Sequence, residues 1–357
     1  MKKIIREVAE VIGGGTPDTT IQEYWNGDIQ WFTPSEIKSD YVSKSERTIT
    51  KLGLDKSSAK LLPIGTILLT TRATIGEVAI AKKKCATNQG FQSLVVKENV
   101  DKIFIANWIK QNKKELIKKA NGSTFTEISK SEIERIPILL PAILEQEKIG
   151  QFLSLLDERI TTQNKIIEDL KILKSTIRHT LFTQLDKFNT ETKLIKDVLD
   201  YEQPTNYIVD NTDYQDNSSL TPVLTANKAF ILGYSSEKKG IYDKGDCIIF
   251  DDFTMDLKYV DFPFKVKSSA IKILKSKYGV NLKYVFEYLS FLNLKSNDHK
   301  RHYISEIESI HIPVTKFERQ NDIANLFFAM DKKITIESSY KKLFLSQKQY
   351  LLSNLFV

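Results

Sequence analysis

The stretch SEIERIPILLPAILEQEKIGQFLSLLDERITTQNKIIEDLKILKSTIRHTLF, residues 131–182, returns 174 positions later as SEIESIHIPVTKFERQNDIANLFFAMDKKITIESSYKKLFLSQKQYLLSNLF, residues 305–356. The two align without a gap. Both open on Ser-Glu-Ile-Glu, at Ser131–Glu134 and Ser305–Glu308, and both close on Leu-Phe, at Leu181-Phe182 and Leu355-Phe356. Between these ends Ile136/Ile310, Ile138/Ile312, Gln146/Gln320, Ile149/Ile323, Asp157/Asp331, Ile160/Ile334, Thr161/Thr335 and Lys174/Lys348 are identical. Fourteen identities in 52 ungapped positions mark a duplication. A period this long exceeds any solenoid unit, so the duplicated piece is a whole domain together with a helix.

The repeated segment has a helical period. Positions 149, 153, 156, 160, 163, 167, 170, 174, 177 and 181 alternate in steps of four and three. They read Ile149, Leu153, Leu156, Ile160, Gln163, Ile167, Leu170, Lys174, Ile177 and Leu181, and eight of the ten are apolar. That is a coiled-coil seam rather than a strand pattern. In the second copy the positions become Ile323, Phe327, Met330, Ile334, Glu337, Lys341, Phe344, Lys348, Leu351 and Leu355, seven of them apolar. The polar middle in both copies weakens the seam there and is suited to fixing its register. No proline or glycine interrupts 151–185 or 318–357, while Pro137, Pro141 and Pro313 stand just upstream, where proline marks a helix start. About 38 helical residues make a rod of roughly 57 Å. The alternative, a helix packed only on its own domain, fits the length and the matched partner less well.

The segments before each helix differ in texture. Residues 1–140 and 191–315 hold nearly all the glycine and proline. They carry short β-branched and aromatic runs at Ile29–Phe32, Thr66–Thr70, Val78–Ala81, Ser93–Val96, Cys247–Phe250, Tyr259–Phe262 and Ala270–Leu274. Each segment reads as a mixed α/β globule with a twisted sheet and a small helix, Ile103–Lys119 in the first and Leu282–Leu292 in the second. Pro63–Leu69 resembles Asp243–Ile249, so the globules also repeat, but loosely. The division expected is a first domain over 1–141, a helix over 142–190, a second domain over 191–315 and a second helix over 316–357. The fold class is α+β: two mixed α/β domains separated by two long antiparallel coiled-coil helices, with a pseudo-twofold internal repeat.

Composition narrows the function. With 41% apolar residues the chain is globular. Fifty-two Lys and Arg against 45 Asp and Glu give a net charge of +7, which suits a polyanion such as DNA without requiring one. Cys85 and Cys247 have no near neighbours, too few for a disulfide framework or a zinc cluster, and read as small buried side chains. Charge arrives at once in Met1-Lys2-Lys3-Ile4-Ile5-Arg6-Glu7, unlike a secretory signal. No apolar run approaches the ~20 residues of a membrane span. A cytoplasmic protein is the expectation.

The chain resembles the specificity subunits of type I restriction–modification systems. The run Val8–Pro17, continuing through Tyr24-Trp25 and Asp28–Ile37, resembles the opening of their target-recognition domains. So do Thr71–Gly76 and Ala86–Phe91. Ile136–Pro141 with Glu145–Ile149 resembles their domain-to-helix junction, and that junction occurs twice. The second copy departs from it: His311 and Thr315 replace Pro137 and Pro141, Arg319-Gln320-Asn321 replaces Glu145-Gln146-Glu147, and the second domain lacks a Gly-Gly-Thr-Pro opening. Its Asp251-Asp252-Phe253 and Tyr259–Ser269 stretches look like a different recognition-domain subtype. The resemblance implies a noncatalytic subunit that binds a split double-stranded DNA target through two recognition domains. It implies methyltransferase (modification) subunits docked on the helices and domains, and restriction/translocase subunits completing the complex. S-adenosylmethionine, ATP and magnesium would then sit on those partners and none in this chain. A type IIB-like system, and a coiled-coil scaffold without DNA specificity, remain the alternatives.

Phosphate contacts supply affinity and base-edge contacts supply sequence choice. In the first domain the candidates are Thr33 and Ser35, Arg72 and Thr74, Lys82, Lys83 and Lys84, and Asn88, Gln89 and Gln92. Arginine engages guanine bidentately, amides suit adenine edges, and hydroxyls and lysines suit phosphates. The plainer readings are a solvated lysine turn and amides spent on local turns. Gly13-Gly14-Gly15 permits close backbone approach to a phosphate, a weak signal without a strand–helix unit behind it. In the second domain the candidates are Thr225, Asn227 and Lys228 in a polar turn, and Lys258, Lys265 and Lys267. Lys265 and Lys267 would share one strand face, or simply protect an exposed edge. His299-Lys300-Arg301-His302 is basic, with no acidic or cysteine companions to make it a metal site.

Enzyme readings find little support. Pro17-Asp18 with Glu36-Ile37-Lys38 matches a nuclease skeleton, but the pattern is short, and Pro34 argues against a central strand there. There is no Gly-x-x-x-x-Gly-Lys loop, no Asn-Pro-Pro-aromatic motif for holding a flipped base, and no nucleophile arranged with the four scattered histidines.

Overall fold

A computed structural model describes the chain except Ala73, residues 121–126, 188–190, 226–228 and 296–301, and Val357; the side chains of Asp186, Lys187 and Ser305 are likewise outside the description. Two compact units form. The first comprises Met1–Asn164 and Tyr340–Val357, the second Lys165–Ser339.

In chain order the first unit runs β1 (Lys2–Ile4), α1 (Ile5–Val8), β2 (Ala9–Gly13), β3 (Trp25–Phe32), β4 (Tyr41–Val42), β5 (Arg47–Ile49), α2 (Lys51–Asp55), β6 (Ile67–Leu69), β7 (Val78–Ala81), β8 (Cys85–Thr87), β9 (Gln92–Val96), α3 (Lys102–Gln111), α4 (Lys113–Lys118), α5 (Lys130–Glu134), β10 (Pro137–Leu139) and the start of α6 (Ile143–Lys187). Five strands form a sheet in the order β2-β9-β6-β7-β4, three form another in the order β5-β3-β8, and β1 pairs with β10. The core closes between the larger sheet and α3, with Ile67, Leu94, Phe104 and Ile138 almost wholly buried. Asp101 caps α3 by accepting from the Phe104 amide at 2.6 Å, and this satisfies one of the orphan donors of the first turn. The single helix expected over 103–119 is interrupted at Asn112, whose side chain donates back to the Trp108 carbonyl at 2.9 Å.

The second unit continues with the rest of α6, then β11 (Thr192–Leu194), α7 (Ile195–Val198), β12 (Leu199–Glu202), β13 (Thr221–Leu224), β14 (Ile231–Ser235), β15 (Cys247–Asp251), β16 (Leu257–Val260), β17 (Lys265–Val266), β18 (Ile271–Ser276), α8 (Leu282–Leu292), β19 (His311–Pro313) and α9 (Phe317–Leu355), whose final residues belong to the first unit. Its sheets are ordered β12-β18-β15-β16 and β14-β13-β17, and β11 pairs with β19. This is the topology of the first domain, strand for strand, without β4. In both domains the small sheet holds one antiparallel and one parallel pairing: β3 with β5 and β8, β13 with β14 and β17. The loose likeness of Pro63–Leu69 to Asp243–Ile249 falls on β6 and β15, which occupy equivalent central places.

Each unit contains its own antiparallel helix pair. In the second, Lys174 meets Asp331, Arg178 lies over Phe327, and Phe182 shares a core with Ile323, so numbers rise along α6 as they fall along α9. In the first, Ile149 and Phe356 reach the same core, Asp157 pairs with Lys348, and Arg159 lies over Phe344. The seam positions 149–181 are all buried or half-buried, as are their counterparts in α9 apart from Leu355. Gln163 and Glu337, the polar residues in mid-seam, are buried at equivalent places. Helix α6 is 45 residues long and begins before Gly150. A Cβ at Gly150 would stand 2.6 Å from Asp101 Oδ1, so the glycine lets α6 approach the capped end of α3.

Candidate nucleic-acid interface

In the first domain the polar candidates gather where three loops meet beside β3 and β8. The glycine loop lies against the residues after β8: the Gly15 amide donates to the Thr87 carbonyl at 2.8 Å. A Cβ at Gly14 would stand 1.9 Å from Asn88 O, and one at Gly15 2.2 Å from Ser58 Oγ. The close approach that Gly14 and Gly15 permit is to neighbouring residues of the chain itself, around Thr87-Asn88 and Ser58-Ala59. Two buried indoles hold the loop from below, Trp31 Nε1 donating to Gly15 O at 2.9 Å and Trp25 Nε1 to Asp18 O at 3.0 Å.

Thr16 Oγ1 donates to Gln89 Oε1 at 2.5 Å, joining the glycine loop to the amide cluster. Asn88 is turned inward, its Oδ1 accepting from the Gly90 amide at 2.8 Å. Gln92, half-buried, lies under Gly13, and its Oε1 has no partner among the described residues. Thr33 and Ser35 sit on the adjoining turn. The Glu36 carboxylate accepts from the Thr33 amide at 2.6 Å and the Thr33 hydroxyl at 2.8 Å, which leaves the exposed Ser35 hydroxyl 3.1 Å from Thr33 Oγ1. The Thr71 amide donates to Gly90 O at 2.8 Å, so Arg72 and Thr74 follow from the same corner. Arg72 is exposed and paired with Glu127 at 2.8 Å.

Lys82, Lys83 and Lys84 are exposed but precede β8, whereas Asn88 follows it, so the lysines lie at the other end of that strand. Lys82 Nζ stands 4.9 Å over the Tyr41 ring. The nuclease-like carboxylates are spent on turns. Asp18 accepts from the hydroxyl and amide of Thr20, which hold its carboxyl below the usual range, and Glu36 also accepts from the Glu46 amide at 2.7 Å. Among the described residues no three His, Cys, Asp or Glu side chains cluster as a metal site. Burial pushes the Cys85 and Cys247 thiols up to about 12, which fits the expected inert, buried role.

The second domain departs more from expectation. Thr225 is half-buried, its amide donating to Phe230 O at 2.8 Å; Asn227 and Lys228 lie outside the described residues. Lys258 is half-buried on β16 and Lys267 is exposed. Lys265 is not presented to a ligand. It is 2% exposed, its Nζ 2.5 Å from Glu237 Oε2 and donating to Lys239 O at 2.6 Å. The shared strand face expected for Lys265 and Lys267 fails because β17 ends at Val266 after two residues, with its lysine turned into the fold. Of the basic run before the second junction, His299, Lys300 and Arg301 lie outside the described residues. His302 is buried, its amide and that of Tyr303 donating to Asp252 Oδ1 at 3.1 and 2.9 Å.

Residues 1–171 match the type I restriction modification DNA specificity domain. The MjaIX type I restriction enzyme specificity subunit of Methanocaldococcus jannaschii is 33% identical over 300 residues, covering 79% of this chain and 66% of that protein. The chain belongs to the type I restriction–modification specificity-subunit family. A second family member, the EcoR124I/EcoR124II specificity subunit of Escherichia coli, is 40% identical over 182 residues, 46% of this chain and 44% of its own length. The matches thus span about two thirds of the first curated relative and less than half of the second. The fold agrees across its full length with the crystal structure of the type I S subunit from M. genitalium, at a TM-score of 0.69 and 17% identity, covering 100% of this chain and 96% of that one. Thr16, within the run Val8–Pro17, joins the loop cluster through Gln89 although it is not among the candidates from the sequence.

Proposed function

We propose that this chain is the DNA-reading specificity subunit of a type I restriction–modification complex and recognises a bipartite target. The observation that carries this, beside family membership, is the duplication. One strand topology occurs twice on repeat-matched helices, while the loops that face outward differ in sequence and in bonding. A scaffold kept constant under divergent loops is what two different half-sites require. Each domain is proposed to read one half, and the length of α6 and α9 to set the gap between halves. Methyltransferase and restriction subunits are the proposed partners, with S-adenosylmethionine, ATP and magnesium bound by them. No described helix is long and apolar enough to cross a membrane.

The test replaces residues 191–315 with the second domain of another specificity subunit and maps host DNA methylation. One half-site should change and the other stay. A change in both halves, or in neither, overturns the reading. The purified chain alone, given labelled S-adenosylmethionine and DNA, should transfer no methyl group. Four residues inserted into each long helix add about 6 Å per helix, and the gap should lengthen with both half-site sequences intact.

A further inference from the structure

Among the described residues of the first domain, Arg47 is an exposed cation held over two indole rings at once. Its guanidinium carbon lies 3.6 Å from the centroid of Trp25 and 5.7 Å from that of Trp31. The two indoles meet edge to face, centroids 5.1 Å apart at 88°. Both are buried, and both donate their ring N–H to the glycine loop, so neither ring is free to turn away. No carboxylate lies within ion-pair distance of Arg47 among the described residues, whereas Arg72 is already engaged with Glu127.

The backbone is bent to make this platform. On β3 both Trp25 and Ile29 pair with Ile49, so residues 26–28 form a bulge. Asn26 there takes a φ of 60°, in the left-handed region. Gly27 fits because a Cβ would stand 2.5 Å from Thr50 Cα. Bulges re-aim side chains and gather beside functional sites, and unfavourable backbone persists where the surroundings impose it. Here the bulge brings Trp25 back level with Ile29, so that its ring meets that of Trp31 beneath Arg47. A guanidinium held over an indole face keeps its N–H donors around its own rim, free to reach a ligand. That is the form in which arginine makes paired hydrogen bonds to a guanine edge or a phosphate.

We propose that Arg47, pre-set on Trp25 and Trp31, is a DNA-contacting residue of the first recognition domain and a stronger contributor to target binding than Arg72. This rests on the specificity-subunit reading. Arg47 is on the edge strand β5, whose neighbour β3 leads into Thr33, and the indoles beneath it carry the loop that holds Thr16 against Gln89. The guanidinium therefore belongs to the same surface as the amide and hydroxyl cluster.

The experiment measures binding of the full chain, assembled with its methyltransferase subunits, to the duplex identified by methylation mapping and to a duplex with the first half-site scrambled. Arg47→Ala should weaken binding to the target by roughly tenfold or more, and Arg72→Ala by less. Arg47→Lys keeps the charge over the ring but loses the paired donors, and should be intermediate with an unchanged melting temperature. It keeps the test informative should Arg47→Ala unfold the platform. A merely structural role predicts the reverse, a lowered melting temperature with target affinity per folded molecule intact, and overturns the proposal. So does wild-type affinity in both Arg47 variants. If the wild-type complex itself fails to prefer the target duplex, the specificity-subunit reading falls instead.

Discussion

Gln146 and Gln320, 174 residues apart in the chain, make the same two hydrogen bonds. Gln146 accepts from the Asp101 amide at 3.0 Å and donates to Pro141 O at 2.9 Å. Gln320 accepts from the Asn281 amide at 2.9 Å and donates to Thr315 O at 2.8 Å. Each is 1% exposed. Asp101 and Asn281 are the N-caps of α3 and α8, so each glutamine ties the start of a long helix to the capped end of its domain's small helix. The substitution of Pro141 by Thr315 is tolerated because the bond uses the backbone carbonyl.

Gln146→Leu should therefore destabilise the first unit by about 1–3 kcal/mol, since it leaves a shielded amide and a shielded carbonyl without partners. Thermal unfolding measures the loss. Hydrogen exchange should localise it, with the Asp101 amide exchanging faster and the Asn281 amide unchanged. Gln320→Leu should show the converse. Fast exchange at both sites from either variant would show that the two junctions are not independent.

Arg72→Ala should leave the melting temperature near that of the wild type. Its ion pair with Glu127 is half-exposed and worth on the order of 0–1 kcal/mol. If Arg72 leaves Glu127 to contact DNA, Glu127→Gln should tighten DNA binding while Arg72→Ala weakens it. Titration of both variants against the target duplex checks this, and opposite signs are the expected outcome.

The repeat was legible because most of its identities are buried or half-buried contacts. Gln146/Gln320 and Asp157/Asp331 recur where the same partner recurs, and the seam pattern follows from which side chains must be covered. The kinship of the two domains was almost illegible. Strand pairing is a backbone matter that many side chains satisfy, so β6 and β15 alone kept a visible likeness. Within the candidate interface, Thr33, Asn88 and Gln89 lie together because short motifs sit on adjoining loops. Lys265 misled because its burial depends on Glu237, a residue 28 positions away that no local pattern connects to it. Arg47 was silent for a similar reason: its meaning comes from a bulge that carries Trp25 back beneath it.

Glu202 should make the second domain acid-sensitive. Burial raises its carboxyl, but hydrogen bonds from Lys244, Lys275 and Tyr207 outweigh this and draw it from 4.5 down to about 2. A carboxyl depressed in the folded state contributes stability that is complete above its unfolded value and lost as the pH falls through its folded one. The window is therefore about pH 4.5 to 2, and the contribution on the order of 1–3 kcal/mol. Urea unfolding across that window should be less pH-dependent in Glu202→Gln than in the wild type. Parallel profiles would show that the carboxylate contributes nothing.

The two helix pairs should differ in how much they depend on charge. Asp157–Lys348 and Asp331–Lys174 are the same pair by repeat, yet their surroundings are unlike. In the second unit Glu287, wholly buried on α8, lies within reach of Lys174 at 3.1 Å, Lys283 at 3.0 Å and Arg178 at 2.6 Å, and Lys283 also reaches Asp331 at 2.7 Å. Counting from the caps Asp101 and Asn281, the place of Glu287 in α3 is held by the neutral Asn107 and that of Lys283 by Ile103. The Asp157–Lys348 pair therefore stands without this shell, and a double-mutant cycle to alanine should return a coupling of about 1 kcal/mol or less. Glu287→Gln should cost far more, about 3–5 kcal/mol, because Lys174 and Lys283 are then left with Asp331 alone and the shielded Arg178 loses its carboxylate. Asp331→Asn should fall between, since Glu287 remains to hold Lys174 and Lys283. Urea unfolding of the full chain gives all three values. Equal losses for Asp157→Asn and Asp331→Asn would show that the added charges of the second unit do not strengthen its helix pair.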